Sequence, residues 1–160
     1  MKKIFTLIII SCFIISCDND ANDIDPLDAE IVFEVDLDGT FTSAFVQDSV
    51  SAFLHAEQII IKGFDANENT VSVLIDPANF SQGTEIVGTH EMGRTSAPTR
   101  AIVALAGGSA FFVSDSGSVT VTEYENNIMK GTFSFEATEN NGSGQVSGMN
   151  GKFTAVITTQ

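Results

Sequence analysis

Lys130-Gly131-Thr132-Phe133-Ser134-Phe135-Glu136-Ala137 decides how this chain folds. Phe133, Phe135 and Ala137 alternate with Thr132, Ser134 and Glu136. A period of two becomes one apolar and one polar face in an extended strand, whereas a helix would spread the same phenylalanines around its circumference. The pattern repeats on both sides of this stretch. Phe153, Ala155 and Ile157 alternate with Thr154 and Thr158, and Val119 and Val121 with Thr120 and Thr122. Val71, Val73 and Ile75 alternate with Ser72 and Asp76, while Ile31, Phe33, Val35 and Leu37 oppose Glu34, Asp36 and Asp38. Ile59, Ile60 and Ile61 in a row favour a strand over a helix between Ala52 and Ile61. Turn signals lie between these runs: Asp38-Gly39, Asp65 to Asn69, Ser114 to Gly117, Glu125 to Asn127 and Glu139 to Gly144. No window of about twelve residues carries a helical stripe. The expectation is an all-β domain, a single antiparallel β-sandwich of about nine or ten strands, with a closed lipocalin-like barrel as the alternative.

Length and charge narrow the functions. The chain has 160 residues, which suits one domain, and a formal net charge of −14 from 21 acids against 7 Lys and Arg. That balance opposes nucleic-acid binding, which needs clustered cations to displace counterions from phosphates. Two cysteines cannot make a disulfide scaffold, and 43% hydrophobic residues suffice for a packed core.

The N-terminus reads as an address. Met1-Lys2-Lys3 precedes an almost unbroken apolar run, Ile4 to Ser16. At about 1.5 Å per residue the run reaches only ~20 Å against roughly 30 Å of hydrocarbon, too short for a spanning helix and right for a signal peptide. It ends in Ile14-Ile15-Ser16-Cys17, which resembles the lipobox of bacterial lipoproteins. The resemblance implies a diacylglycerol thioether on Cys17 and cleavage before it. Ile9-Ile10-Ser11-Cys12 has the same pattern, but Cys12 would leave Phe13, Ile14 and Ile15 just after the anchor. Acyl chains at ~0.8 kcal/mol per buried methylene make such an anchor stable.

Residues 1–16 are thus expected to be a lipoprotein signal peptide, 17–29 an acidic flexible tether and 30–160 the all-β domain. All 21 acids follow Cys17, against five bases, Lys62, Arg94, Arg100, Lys130 and Lys152. Asp18, Asp20 and Asn22 imitate the first ligands of a calcium loop. Asp23 then stands where Gly is needed and Ala29 where Glu is needed, so the tether reading holds. An acidic stretch after the lipidated Cys also resembles the surface-export signal of Bacteroidetes lipoproteins, which implies an outer-membrane protein facing outward, with the periplasm as the alternative.

Several ordered elements are similar to a family of short Bacteroidetes lipoproteins classed as a domain of unknown function. They are Val35-Asp36-Leu37-Asp38-Gly39-Thr40-Phe41, Ile59 to Asp65, Gly83-Thr84-Glu85-Ile86-Val87, Gly117 to Thr122, Lys130 to Ala137 and Asn150-Gly151-Lys152-Phe153-Thr154. The family has an aromatic where Glu85 stands. It implies a compact β domain on a lipid anchor and carries no established catalytic residues.

Chemistry-bearing motifs are sparse. Ser51, His55 and Glu57 share a strand face, but Ser51 and His55 are about 13 Å apart along a strand, too far for nucleophile and base. His90-Glu91-Met92-Gly93-Arg94 begins like a zinc-protease motif and has Arg94 at the second ligand position. Asp65, Asn67 and Asn69 alternate as a turn does. Gly142, Gly144 and Gly148 form no dinucleotide fingerprint and read as turn glycines. Asp48-Ser49-Val50 makes Ser49 a candidate O-glycosylation site. Of the adjacent Phe111 and Phe112 a strand exposes one. No catalytic, cofactor or metal residue is assigned. The expected function is a non-enzymatic binding or accessory module for a glycan, peptide or envelope protein, touching the membrane through Cys17. The alternatives are an envelope hydrolase using an Asp/Glu pair, which requires converging carboxylates with a raised pKa, and a lipocalin-like carrier of an apolar ligand, which requires an internal cavity.

Overall fold

The computed structural model describes residues 30–47, 50–55, 58–76, 86–94 and 97–159. Cys12, Cys17, the tether, Ser49 and Glu57 lie outside them. Eleven strands form among the described residues: β1 (Val32–Gly39), β2 (Ser43–Gln47), β3 (Val50–His55), β4 (Gln58–Phe64), β5 (Thr70–Ile75), β6 (Gly88–Glu91), β7 (Arg100–Ala104), β8 (Phe111–Glu125), β9 (Ile128–Glu139), β10 (Gln145–Val156) and β11 (Thr158–Thr159). They join one sheet in the order β11-β3-β4-β5-β7-β8-β9-β10-β1-β2, with β6 added to β8. The sheet is all-β as expected, curled and open like half a barrel. It is not purely antiparallel, which corrects the sequence reading: β11 runs parallel to β3. The reason is topological. Ile157, held by its N–H to the Asn127 carbonyl at 2.7 Å, turns the chain out of β10 towards the far end of the sheet, where Thr158 meets Phe53.

The long hairpins β8-β9-β10 supply the concave wall. Their inward phenylalanines sit over cross-strand glycines: Phe135 opposes Gly148, Phe133 opposes Gly151 and Phe153 opposes Gly131. A methyl group at any of these glycines would collide with the opposed ring, and one at Gly63 would collide with Phe33 of β1. Phe33 and Phe133 lie 5.4 Å apart and Phe133 and Phe153 6.4 Å, within the range of favourable ring pairs. Phe45, Phe112, Ile61, Val73 and Val103 complete one buried cluster.

Two strands change the parity of their inward residues. In β8, Phe112 and Ser114 are buried, then Val119 and Val121. The register slips between Ser114 and Ser116, and again between Val121 and Glu123. In β10, Val146 and Gly148 are buried, then Gly151, Phe153 and Ala155, with the slip at Asn150, whose φ is 54°. These are β-bulges, which bend a strand and sharpen its twist, and they account for the curl. They also correct two expectations. Ser114 to Gly117 is a bulge inside β8 rather than a turn, and Gly148 lies within β10 rather than in a turn. Bulges use the same small and polar residues as turns, so composition does not separate them.

Three other turns form where expected, but Asp38-Gly39 is not a tight hairpin: both residues end β1 in register with Ser147 and Val146 of β10, and the β1–β2 pairing closes only at Leu37 and Ser43. Asn126 and Asn127 both adopt positive φ, 51° and 63°, as a two-residue hairpin with primed geometry requires. At the first bulge β8 also changes neighbour, pairing with β7 through Phe111–Val113 and with β6 through Ser118–Val121. Fully buried Ser114 bridges that fork: its hydroxyl accepts from Ala101 N–H at 2.9 Å and donates to the Gly93 carbonyl at 3.0 Å.

The β4–β5 turn is a clasp. The Asp65 carboxylate accepts from the N–H groups of Asn67 and Asn69, both at 2.8 Å, from Asn69 Nδ2 at 2.7 Å and from Ser43 Oγ at 3.2 Å. Asn69 Oδ1 in turn accepts from Ala106 N–H at 2.9 Å, in the 3-10 turn Ala106–Gly108. Burial raises the Asp65 pKa, but the hydrogen bonds from Asn69, Asn67 and Ser43 together outweigh it and hold the carboxyl below its ordinary value of 3.8.

Two outcomes follow from this packing. Gly148→Ala destabilises the domain by about 1–3 kcal/mol through the clash with Phe135, read as a lower urea midpoint, and Phe135→Leu in the same chain recovers part of the loss. Asp65→Ala costs about 2–3 kcal/mol, because it leaves the buried Asn69 donors without an acceptor. A depressed folded pKa adds stability above the unfolded value of about 3.9 that is lost as pH falls through the folded pKa. Asp65→Asn therefore flattens the acid limb of a stability–pH curve below about pH 4.

Candidate functional site

Ser118 and Thr120 on β8 point away from the core, and so do Thr132 and Ser134 on β9. The register sets Ser118 opposite Ser134 and Thr120 opposite Thr132. One rung continues from Thr89 on β6 through Thr120 and Thr132 to Lys152 on β10 and Glu34 on β1. Four short side chains thus meet in a patch with about 4.8 Å between strands and about 6.8 Å along them. Longer residues surround it. Lys152 Nζ pairs with Glu34 at 2.9 Å, Lys130 Nζ with Glu123 at 3.0 Å, and Asn150 Nδ2 donates to Asp36 at 3.1 Å. Short residues ringed by long ones leave an open groove of about 370 Å³, lined by the four hydroxyl residues, Asn150 and Lys152, with Phe133 and Gly151 between them.

Hydroxyls both donate and accept, so the floor can exchange hydrogen bonds with groups of the same kind. Lys152 and Lys130 are already matched by carboxylates, which removes the advantage of an anionic ligand. The lining holds no acid. Thr89 Oγ1 and Thr120 Oγ1, 2.9 Å apart, extend the hydroxyl row beyond the groove.

A second row lies on the outer side of the other half of the sheet. Phe64, Thr70, Ala104 and Phe111 occupy one rung of β4, β5, β7 and β8. Phe111 is 50% exposed beside Phe112 at 1%, as strand alternation requires. Phe64 is 37% exposed, with Lys62 Nζ 5.8 Å from its ring centre.

The motifs singled out in the sequence do not converge. Ser51 and His55 are exposed on β3. His90 takes the rung of buried Val119 and its Nε2 lies 2.9 Å from the Ile86 carbonyl oxygen, while Glu91 is exposed, so the two diverge. Arg94 pairs with Asp115 at 3.2 Å, and Asp115 also accepts from Thr138 at 2.6 Å. Among the described residues no cluster of three or more His, Cys, Asp or Glu is placed to hold a metal ion. Asp65, read as a turn residue, is the clasp described above. Sequence reasoning missed the groove: Ser118, Thr120, Thr132 and Ser134 showed as outward polar positions, and only the β8–β9 register shows that they adjoin.

No curated protein and no solved structure matches the chain. Residues 29–157 match the family described as Domain of unknown function (DUF6252), which covers the whole described sheet up to the end of β10, and the chain belongs to that family.

Proposed function

We propose that this chain is a lipid-anchored lipoprotein of the Bacteroidetes cell envelope, and that its β domain is a non-enzymatic binding module for a neutral, polyhydroxylated ligand such as a glycan. The hydroxyl-floored groove carries the binding part. It offers donors and acceptors in a fixed lattice, ion-paired cations at the rim and no carboxylate in the lining. A hydrolase would need two converging acids at that place. The interior supports a filled, sandwich-like domain over a carrier barrel, because Phe33, Phe45, Phe112, Phe133, Phe135 and Phe153 occupy it.

The anchor rests on Ile14-Ile15-Ser16-Cys17 behind a basic and apolar leader. On this reading residues 1–16 are removed, Cys17 holds the lipid in the outer membrane, and residues 17–29 lift the domain off it. The acidic run after Cys17 supports the outward orientation, and Ser49 remains a candidate for O-glycosylation.

The anchor is tested with Cys17→Ala, which is expected to yield an uncut, unlipidated precursor by mass spectrometry; a normal mature mass would overturn it. The groove is tested by probing the solubilised lipoprotein on an array of neutral glycans. Ser134→Tyr fills the floor and is expected to weaken binding at least about tenfold, or about 1.4 kcal/mol. Phe111→Ser, on the opposite half of the sheet, leaves it unchanged. Loss confined to Phe111→Ser moves the contact to the apolar row, and an array on which nothing binds rejects the glycan class.

A further inference from the structure

The chain contains two Asn-Gly bonds among the described residues, Asn141-Gly142 and Asn150-Gly151, in opposite surroundings. Gly lacks the side chain that shields its nitrogen, so an Asn-Gly bond is prone to attack by the Gly nitrogen on the Asn side-chain amide wherever the backbone can bring them together. Asn141 and Gly142 are exposed in the turn between β9 and β10. Outside the turn the chain is held: Glu139 N–H donates to the Gly144 carbonyl at 2.9 Å and Asn140 N–H to the Phe111 carbonyl at 2.8 Å. The Glu139 carboxylate accepts from Gly144 N–H at 3.3 Å and lies so close over Gly142 that a methyl group there would collide with it. Asn150 is the reverse case. Its φ of 54° is locked by the β10 bulge, Gly151 is buried opposite Phe133, and its side-chain amide is tied to Asp36 at 3.1 Å.

We infer that Asn141 is a self-modifying site, converted through a succinimide with Glu139 as the proton acceptor, and that Asn150 is protected by the sheet. The Gly142 nitrogen loses its proton to Glu139 and bonds to Asn141 Cγ. The Cγ–Nδ2 bond breaks and leaves as ammonia, taking up the proton. Water then opens the ring on either side, giving aspartate or isoaspartate. The only co-reactant is water. The product adds a carboxylate beside Glu139. As isoaspartate it also lengthens the main chain by one methylene, next to the place where Gln145 and Thr40 clasp, Thr40 N–H donating to the Gln145 carbonyl at 2.8 Å and Gln145 N–H to Thr40 Oγ1 at 2.9 Å. The turn therefore carries a slow chemical change that alters the link between the β9–β10 hairpin and the β1–β2 loop. This inference is independent of the proposed ligand.

Cleavage after Lys130 and Lys152 places both bonds in one peptide, so each reports against the other. The full chain is incubated at neutral pH, and fragmentation mass spectrometry follows the amide-to-acid exchange at each Asn. In the folded protein Asn141 is expected to convert at least about tenfold faster than Asn150, and the difference to collapse in denaturant, where the sheet no longer holds Asn150. Glu139→Gln keeps an acceptor for Gly144 but cannot take a proton, and is expected to slow Asn141 severalfold without changing the unfolding midpoint. Equal rates at the two sites in the folded chain, or an Asn141 rate unchanged by Glu139→Gln, would overturn the inference.

Discussion

The packing and register of the sheet depend on rings lying directly against opposing backbone. Phe133, Phe135 and Phe153 each occupy the space a side chain would need on the strand opposite, and glycine at 151, 148 and 131 makes that space available. Burying a phenylalanine stabilises by roughly 1.5–3 kcal/mol relative to leaving it exposed. A strand glycine weakens its strand by roughly 0.5–1 kcal/mol, so each pairing is favourable only because ring and glycine meet. Register is thereby specified as well. A slip of one residue would set Phe135 against a side chain and turn the apolar set of β9 towards water.

The bulges are the complement of that packing. A strand of fifteen residues, such as β8, cannot stay straight and wrap a core, and the slips at Asp115 and at Thr122 let it bend. The first slip also frees β8 to exchange β7 for β6 as neighbour. Ser114 satisfies the main-chain groups left over at the fork, Ala101 N–H and the Gly93 carbonyl, which lie where neither ladder reaches. Asp65 does the same for the β4–β5 turn and ties it to β2. Both are small polar residues placed where backbone groups would otherwise be buried without partners.

The outer surface divides as a result. Over β8, β9 and β10 the outward residues are short hydroxyls ringed by matched charges, while over β4, β5, β7 and β8 they include Phe64 and Phe111. Among the described residues most acids sit at exposed or half-buried positions and in turns. Asp65 is the exception among them: it is turned into the structure, and hydrogen bonds from local donors hold its carboxyl below the ordinary value.

Alternation and turn chemistry determined that the chain is all-β, that Phe33, Phe133, Phe135 and Phe153 face inward, that Phe111 and Phe112 part company, and where three of the five turns fall. These are local consequences of period two and of turn chemistry, and they need no knowledge of neighbours. The mixed sheet, the parity switches in β8 and β10, the fork at Ser114 and the adjacency of Ser118, Thr120, Thr132 and Ser134 came only from the tertiary structure. Each depends on which strand lies beside which and in what register. That choice is made by contacts such as Phe135 on Gly148 between residues distant along the chain, which no single strand's pattern contains.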